Sequence, residues 1–331
     1  MTPDMTTQQE TMRAIVHDRY GPPEVLELKE IAKPEIGADQ VLVKVHASSV
    51  NPADWHTMKG TPFLVRMTSG LTKPKRTTAG MDVAGTVEAV GKNVERLQPG
   101  DEVFGESGGT FAEYAAVPER LLELKPANAS FDEAGAVGVA AFTALQGLRD
   151  HGKVKAGDSV LINGASGGVG TFAVQIAKAL GAEVTAVCST RNVDQARAIG
   201  ADHVIDYTNE DFTMTEERFD VILDCVGLRP LSDTNRLLSP DGIYVAVGAP
   251  KSMVRIIPRI AKMMLGSRFG SHQTVFFIAN ANRDDLVVLR DMIESGKVTP
   301  VIDRTYPLEE TGAAMAYLGE GHAQAKIAIT V

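Results

Sequence analysis

Asn163-Gly164-Ala165-Ser166-Gly167-Gly168-Val169-Gly170 is the stretch from which the fold is read. An apolar run at residues 159–163 precedes it, and residues 169–180 carry apolar side chains at helical spacing. The stretch therefore reads as strand, tight turn and helix. Within it, Ala165-x-Gly167-x-x-Gly170 is a dinucleotide fingerprint with alanine in first place. Gly167 lets backbone approach a pyrophosphate, and Gly170 lets the helix pack close to the strand. The helix N-terminus would face the anion with unpaired N–H groups and the positive end of its dipole. Ala165, Ser166, Gly168 and Val169 complete the expected cradle. The same residues also spell Gly164-x-Ser166-x-Gly168, the nucleophile-elbow pattern of α/β-hydrolases. That reading would need Asp224 and either His272 or His322 as partners, and it places the turn after several earlier strands of its sheet. Here the turn opens the sheet instead.

Downstream of the turn, strands at 183–188, 203–207, 219–226, 243–247 and 274–278 alternate with helices at 192–199 and 231–238. This alternation predicts a doubly wound, parallel, Rossmann-type α/β sheet. Upstream, short runs at 13–16, 25–30, 41–49, 83–90, 102–104 and 110–117 are broken by Gly and Pro, as in a partly open β-barrel. The basic, Gly/Pro-interrupted stretch 64–78 reads as a long mobile loop. Ser130, with Glu133 three residues on, caps a helix over 130–137. Residues 284–295 form an amphipathic helix, and 325–331 a last strand returning to the barrel. The expected organisation is a disordered tail at 1–11, a catalytic barrel at 12–129 and a nucleotide-binding domain at 130–272. Residues 273–331 would complete the sheet edge and rejoin the barrel.

An NAD enzyme places an acid about twenty residues after the glycine turn, on the ribose diol. Here the second strand ends Cys188-Ser189-Thr190-Arg191-Asn192, with no acid. Ser189, Arg191 and Asn192 suit a 2′-phosphate, which a guanidinium matches in two-point geometry, so NADP is the expected cofactor. Tyr207, ending the third strand, lies on the same adenosine side. The net charge of −9, from 33 Lys+Arg and 42 Asp+Glu, argues against a nucleic-acid partner. No apolar run is long enough to span a bilayer. Both cysteines, Cys188 and Cys225, lie in apolar runs, so a disulfide framework is not expected and the cytoplasm is the expected compartment.

The chain resembles the medium-chain dehydrogenase/reductase family, and within it the zinc-independent, zeta-crystallin-like quinone oxidoreductases. The resemblance covers residues 12–331. It rests on Val50-Asn51-Pro52-Ala53-Asp54, Gly80-Met81-Asp82-Val83-Ala84-Gly85, Pro99-Gly100-Asp101-Glu102-Val103, Phe142-Thr143-Ala144-Leu145, residues 163–170 and Ala198-Ile199-Gly200-Ala201-Asp202. It implies a GroES-like, partly open barrel beside a Rossmann domain. Carried over, Asn51 and Thr143 would lie beside the nicotinamide ribose or ring. Val226, Gly227, Val247, Gly248 and Ala249 would line the nicotinamide side. Phe276, Phe277 and Ile278 would press on the cofactor, and Lys326 would touch it, although Ala325 stands where the family has glycine.

Zinc-dependent relatives hold catalytic metal through Cys, His and a second Cys. The matching positions are Asn51, Met81 and Val139, with Asp82 after Met81. None of the first three is a thiolate or imidazole, so no metal site is expected. Hydride from NADPH would then reach a quinone or α,β-unsaturated carbonyl activated by placement and hydrogen bonds. Asn51 would orient the substrate. His56 is a candidate proton donor, with water the alternative. Asp82 is expected to serve structure rather than acid–base work. Other readings are an NADP-dependent alcohol dehydrogenase or ketone reductase, a non-catalytic NADPH-binding sensor, and the hydrolase using Ser166. The sheet edge at 274–278 suggests a homodimer.

Overall fold

The computed structural model describes residues 10–247, 273–321 and 323–331. Gly248, Ala249, His272, His322 and the Met-rich stretch 253–264 lie outside them. The first part contains β1 (Thr11–Val16), β2 (Glu27–Ala32), β3 (Gln40–Val50), α1 (Pro52–Lys59), α2 (Phe63–Ser69), β4 (Asp82–Val90), β5 (Glu102–Glu106), β6 (Tyr114–Pro118) and β7 (Leu122–Leu124). The chain then runs through α3 (Phe131–Gly135), α4 (Gly138–Gln146), β8 (Ser159–Asn163), α5 (Gly168–Ala179), β9 (Glu183–Cys188), α6 (Val193–Ala198) and β10 (His203–Asp206). It continues with β11 (Phe219–Asp224), α7 (Leu231–Asn235), β12 (Leu238–Ala246), β13 (Gln273–Phe276), α8 (Arg283–Glu294), β14 (Ile302–Pro307), α9 (Thr311–Glu320) and β15 (Lys326–Thr330).

Two sheets organise these elements. The barrel sheet runs β14-β15-β3-β4-β5-β7, with β6 also on β3. Alternation is clear in β6, where Ala115 and Val117 are buried between half-buried neighbours, and partial in β3, where Lys44 is exposed between buried Val43 and Val45 but Leu42 is buried too. The second sheet runs β10-β9-β8-β11-β12-β13, all parallel. Val160, Leu161 and Ile162 of β8 are buried without alternation because helices cover both faces. The first strand in sequence, β8, lies in the middle, and the order reverses between β8 and β11. Such a switch point opens a crevice at the carboxyl ends of the strands. An elbow serine would instead follow several strands of its sheet, so the topology disfavours the hydrolase reading. The Ser130 cap is present, with Ser130 Oγ accepting the Glu133 N–H at 3.2 Å and Glu133 Oε2 accepting the Ser130 N–H at 2.7 Å.

Strand β15 rejoins the barrel as expected, pairing antiparallel with β3 (Ile327 opposite Val50). Several expectations need correction. Strand β1 begins at Thr11, opposite Ala32, so the tail read over 1–11 ends in a paired strand; residues 1–9 lie outside the described set. The stretch 64–78, read as a loop, contains most of α2. Its flanking Pro62 and Gly70 disguised a helix of two turns, which Arg66 fixes by donating to the Gly60 carbonyl at 2.9 Å. The helix read near 231–238 stops at Asn235, because β12 already begins at Leu238. The sixth strand ends at Phe276 rather than at 278. Strand β14 and helix α9 had no sequence signal. They form because Ala314 and Met315 of α9 pack with Val50 and Ile327 in one buried cluster.

Candidate active site

The glycine-rich turn joins the end of β8 to α5. Gly164 takes a φ of +84°, the left-handed region open to glycine. A Cβ on Gly170 would stand 2.1 Å from the Gly164 carbonyl oxygen, so only glycine allows this helix to lie so close to its strand. At Gly167, the N-cap of α5, a Cβ would meet only that same oxygen, at 3.5 Å. Tight packing behind Gly170 and open space at Gly167 are what a pyrophosphate cradle requires. Beside the turn, at the end of β11, Val226 and Gly227 donate their N–H groups to Asp224 Oδ1 at 2.9 and 2.8 Å. Asn163 Nδ2 reaches the same oxygen at 2.8 Å, which locks the two central strand ends together. Val247 joins them by donating to the Asp224 carbonyl at 3.0 Å.

The residues expected at the adenosine end gather after β9. Asn192 is buried, and its Nδ2 donates to Ser166 Oγ at 2.9 Å and to Ser189 Oγ at 3.2 Å. Its Oδ1 is buried without a partner among the described residues. Such an orphaned acceptor is costly unless a donor outside the described residues meets it. Arg191 lies in the short 3₁₀ turn after Ser189, and Tyr207, whose N–H donates to the Cys188 carbonyl at 3.0 Å, is exposed. An acid also comes to this region from a neighbouring strand: Asp206, at the end of β10, accepts hydrogen bonds from Thr190 (2.6 Å), Thr208 (2.7 Å) and Asn209 (2.7 Å). Reading only the β9 end could not reveal it.

A buried cluster of charges sits where barrel, nucleotide domain and C-terminal strand meet. Asp82 is 0% and Lys326 2% exposed. Lys326 Nζ donates to Asp82 Oδ2 at 3.1 Å and to Asn51 Oδ1 at 2.5 Å. Asn51 Nδ2 donates to Asp82 Oδ2 at 2.9 Å. Since an ammonium only donates and a carboxylate only accepts, the amide orientation of Asn51 is fixed from both sides. The Val139 N–H, in the first turn of α4, donates to Asp82 Oδ1 at 2.8 Å, and Ser49 Oγ donates to Oδ2 at 2.5 Å. Asp82 thus ties β3, β4, α4 and β15 together, the structural role expected of it. Thr143, half-buried one turn further along α4, donates to the Val139 carbonyl at 2.7 Å. Ala325 adopts a φ of +74° and donates its N–H to the Ser166 carbonyl at 2.7 Å. The strand carrying Lys326 is thereby pinned to the glycine turn.

Two further carboxyl groups surround this cluster: Asp54, which in the sequence stands only as the end of a motif, and Glu106, which carries no motif signal. Asp54, in α1, accepts the Asn51 N–H at 2.9 Å. Burial, and next the charge of Asp82, raise its pKa to about 7. Glu106 lies opposite Asp82 across β4 and β5. Burial first, then Asp82 and Asp54, raise its pKa to about 8. His56 is less central: its Nδ1 donates to the Thr61 carbonyl at 2.7 Å, near the surface end of α1. Below α2 a cleft of about 410 Å³ is lined by Asp54, Met58, Thr68, Met81, Phe111 and Met315, among others. Of residues 276–278, Phe277 packs its ring 4.2 Å from that of His151, whereas Phe276, at the end of β13, and Ile278, beyond it, are exposed.

Among the described residues, no three His, Cys, Asp or Glu side chains gather closely enough to hold a metal ion. No described helix is long and apolar enough to cross a membrane. Two family models match the chain: the GroES-like domain of alcohol dehydrogenases at residues 37–127, and the zinc-binding dehydrogenase model at residues 199–329. Among similar proteins, the 2-methylene-furan-3-one reductase of Solanum lycopersicum is 34% identical, over 96% of this chain and 79% of that protein. The chloroplastic NADPH-dependent alkenal/one oxidoreductase of Arabidopsis thaliana is 33% identical, over 99% of this chain and 82% of its own. The solved quinone oxidoreductase from Coxiella burnetii superposes with a TM-score of 0.86 at 31% identity, over 97% of this chain and 100% of that one.

Two measurements probe the cluster. Asp82→Asn leaves the Lys326 ammonium buried without its counter-charge and should cost about 3–5 kcal/mol in chemical denaturation. Adding Lys326→Met to it should recover part of that loss. A loss below about 1 kcal/mol would show that the pair is not what joins the units. The second concerns pH. The folded pKa of Glu106 lies above its ordinary value of 4.5. Its stabilising contribution is therefore complete below about pH 4.5 and is lost as pH rises through about 8. In Glu106→Gln this decline should disappear, so the variant's unfolding midpoint, relative to the parent's, rises between about pH 5 and about pH 9. Parallel profiles would remove the assignment.

Proposed function

Because the chain belongs to the medium-chain dehydrogenase/reductase superfamily, in the zeta-crystallin-like quinone oxidoreductase group, we propose that it is a zinc-independent reductase using NADPH on a quinone or an α,β-unsaturated carbonyl. One observation carries this reading. A dinucleotide cradle at a sheet switch point opens beside Asn51, Met81 and Val139, positions that supply an amide, a thioether and no donor at all. Asn51 is moreover already committed on both amide atoms to Lys326 and Asp82. This donor set does not fit tetrahedral zinc, which takes thiolates and imidazoles. The reading departs there from the name of the zinc-binding dehydrogenase model.

Bound nicotinamide nucleotide supplies the hydride. The residues of this chain bind, orient and shield. Residues 165–170 offer the first-turn N–H groups of α5 to the pyrophosphate. Ser189, Arg191 and Asn192 hold the adenosine phosphate, and the unmet Oδ1 of Asn192 accepts from a ribose hydroxyl. Tyr207 flanks that end. Val226, Gly227 and Val247 line the nicotinamide side. Asn51 and Thr143, linked through Asp82 and Val139, fix the floor beneath the ring. Lys326 acts through Asn51 and Asp82, since its ammonium is turned toward them. His56 Nε2, or water, returns the proton to the product oxygen. Strand β13 is the last of its sheet among the described residues, and Phe276 at its end with Ile278 just beyond it, both exposed, suit pairing with a second copy across a two-fold axis. The free cysteines suit a reducing compartment such as the cytoplasm.

An acceptor screen tests the reaction. NADPH should be consumed with a quinone or an enone, at a rate unchanged by a chelator. Consumption with saturated ketones alone would instead favour an alcohol dehydrogenase. Arg191→Ala should weaken NADPH binding roughly 10–100-fold while leaving NADH within about threefold, as loss of a charge-assisted contact predicts. Equal losses for both nucleotides would withdraw Arg191 from the phosphate.

A further inference from the structure

Helix α2 is inside out. Phe63, Leu64, Met67 and Leu71 are 59%, 53%, 63% and 62% exposed. At helical spacing Phe63, Leu64 and Met67 fall within about 100° of arc, on one face of α2, and Leu71 follows just beyond the Gly70 that ends it. The other side of the helix, with Val65, Arg66 and Ser69, is half-buried, whereas Thr68 is exposed at the rim of the cleft beneath. Arg66 lies against the Tyr20 ring at 4.5 Å and donates to the Gly60 carbonyl, and Tyr20 Oη donates to the Gly70 carbonyl at 2.5 Å. A helix in water shows the opposite arrangement, so its surroundings when the protein works are apolar on the outer side.

Charge identifies those surroundings. Residues 55–80 contain Lys59, Arg66, Lys73, Lys75 and Arg76 and no acid, in a chain whose net charge is −9. None of the five pairs with a carboxylate among the described residues. A second copy meeting this face with its own would set cation against cation. A lid closing inward would displace the contacts that Arg66 already makes with Gly60 and the Tyr20 ring. A surface that is apolar within and anionic at its rim satisfies both halves of the pattern.

We propose that residues 59–76 dock this protein onto an anionic lipid bilayer, with Phe63, Leu64, Met67 and Leu71 entering the interface and the surrounding cations facing the headgroups. The cleft lined by the inner side of the segment then lies against the membrane. Docking is independent of which acceptor the enzyme reduces.

Co-sedimentation of the full chain with phosphatidylcholine vesicles, with and without phosphatidylglycerol, tests this. Binding should require the anionic lipid and should fall severalfold as salt rises from about 0.05 M to about 0.5 M. The double variant Phe63→Ser, Met67→Ser should bind at least about tenfold more weakly, with its thermal unfolding midpoint unchanged. Lys73→Glu should weaken binding while leaving the apolar face intact. No binding of the parent to anionic vesicles would overturn the proposal, as would binding that the double variant retains. A dimer mass in solution that the double variant loses would make this face an interface between copies and overturn it too. So would a changed KM for a soluble acceptor in the double variant without a change in vesicle binding, which would make α2 a lid.

Discussion

The ammonium of Lys326 inside the protein is the constraint around which the rest is arranged. Removing such an ion from water costs several kcal/mol, and the cost is offset only when a counter-charge and enough hydrogen-bond acceptors come with it. Asp82 and Asn51 supply these. Asp82 must in turn be held, and it is held by a backbone N–H at the start of α4 and a serine of β3. Four segments distant in sequence are thereby brought to one point. A well-packed apolar cluster could join them as firmly; what the polar one adds is direction. It fixes the rotation of the Asn51 amide and the position of α4 relative to the barrel.

Carboxyl groups accumulate around this single cation. Asp54, Asp82 and Glu106 all feel it, and only one of them can be well compensated. Asp82 takes that place, and the others are pushed toward their neutral forms. A neutral carboxyl group can donate a hydrogen bond as well as accept one. Near neutral pH the junction therefore contains groups able to hold a proton, although neither is a histidine.

The parallel sheet was legible because its signals are local: a glycine-rich turn between an apolar run and a helix-spaced run needs no distant partner to be recognised. The Ser130–Glu133 cap was legible for the same reason. Resemblance to known proteins brought Asn51 and Lys326 to one site, but not the direction in which Lys326 points. That depends on Asp82, 244 positions away. Glu106 looked like any acid at a strand end until the pairing of β4 with β5 set it opposite Asp82. Asp206 gave no local signal, because it meets Thr190 after β9 from the neighbouring strand β10. Helix α2 lay hidden between Pro62 and Gly70, whose composition suggests a loop. Strand β14 and helix α9 carry no strong periodicity, and they form because other elements give them a surface to pack on.

The distance between Asp82 and Lys326 also orders events in time. A ribosome adding about 5–20 residues per second needs roughly 12–50 s to cross the 244 positions that separate them. Throughout that interval the nascent barrel holds an acid without its base, and β3 lacks the neighbour that β15 will become. The nucleotide-binding sheet, whose strands all fall between the two residues, can assemble first. The half of the molecule that begins earlier is thus the half that finishes later, and whatever escorts this polypeptide during synthesis meets an open barrel attached to a nearly complete partner.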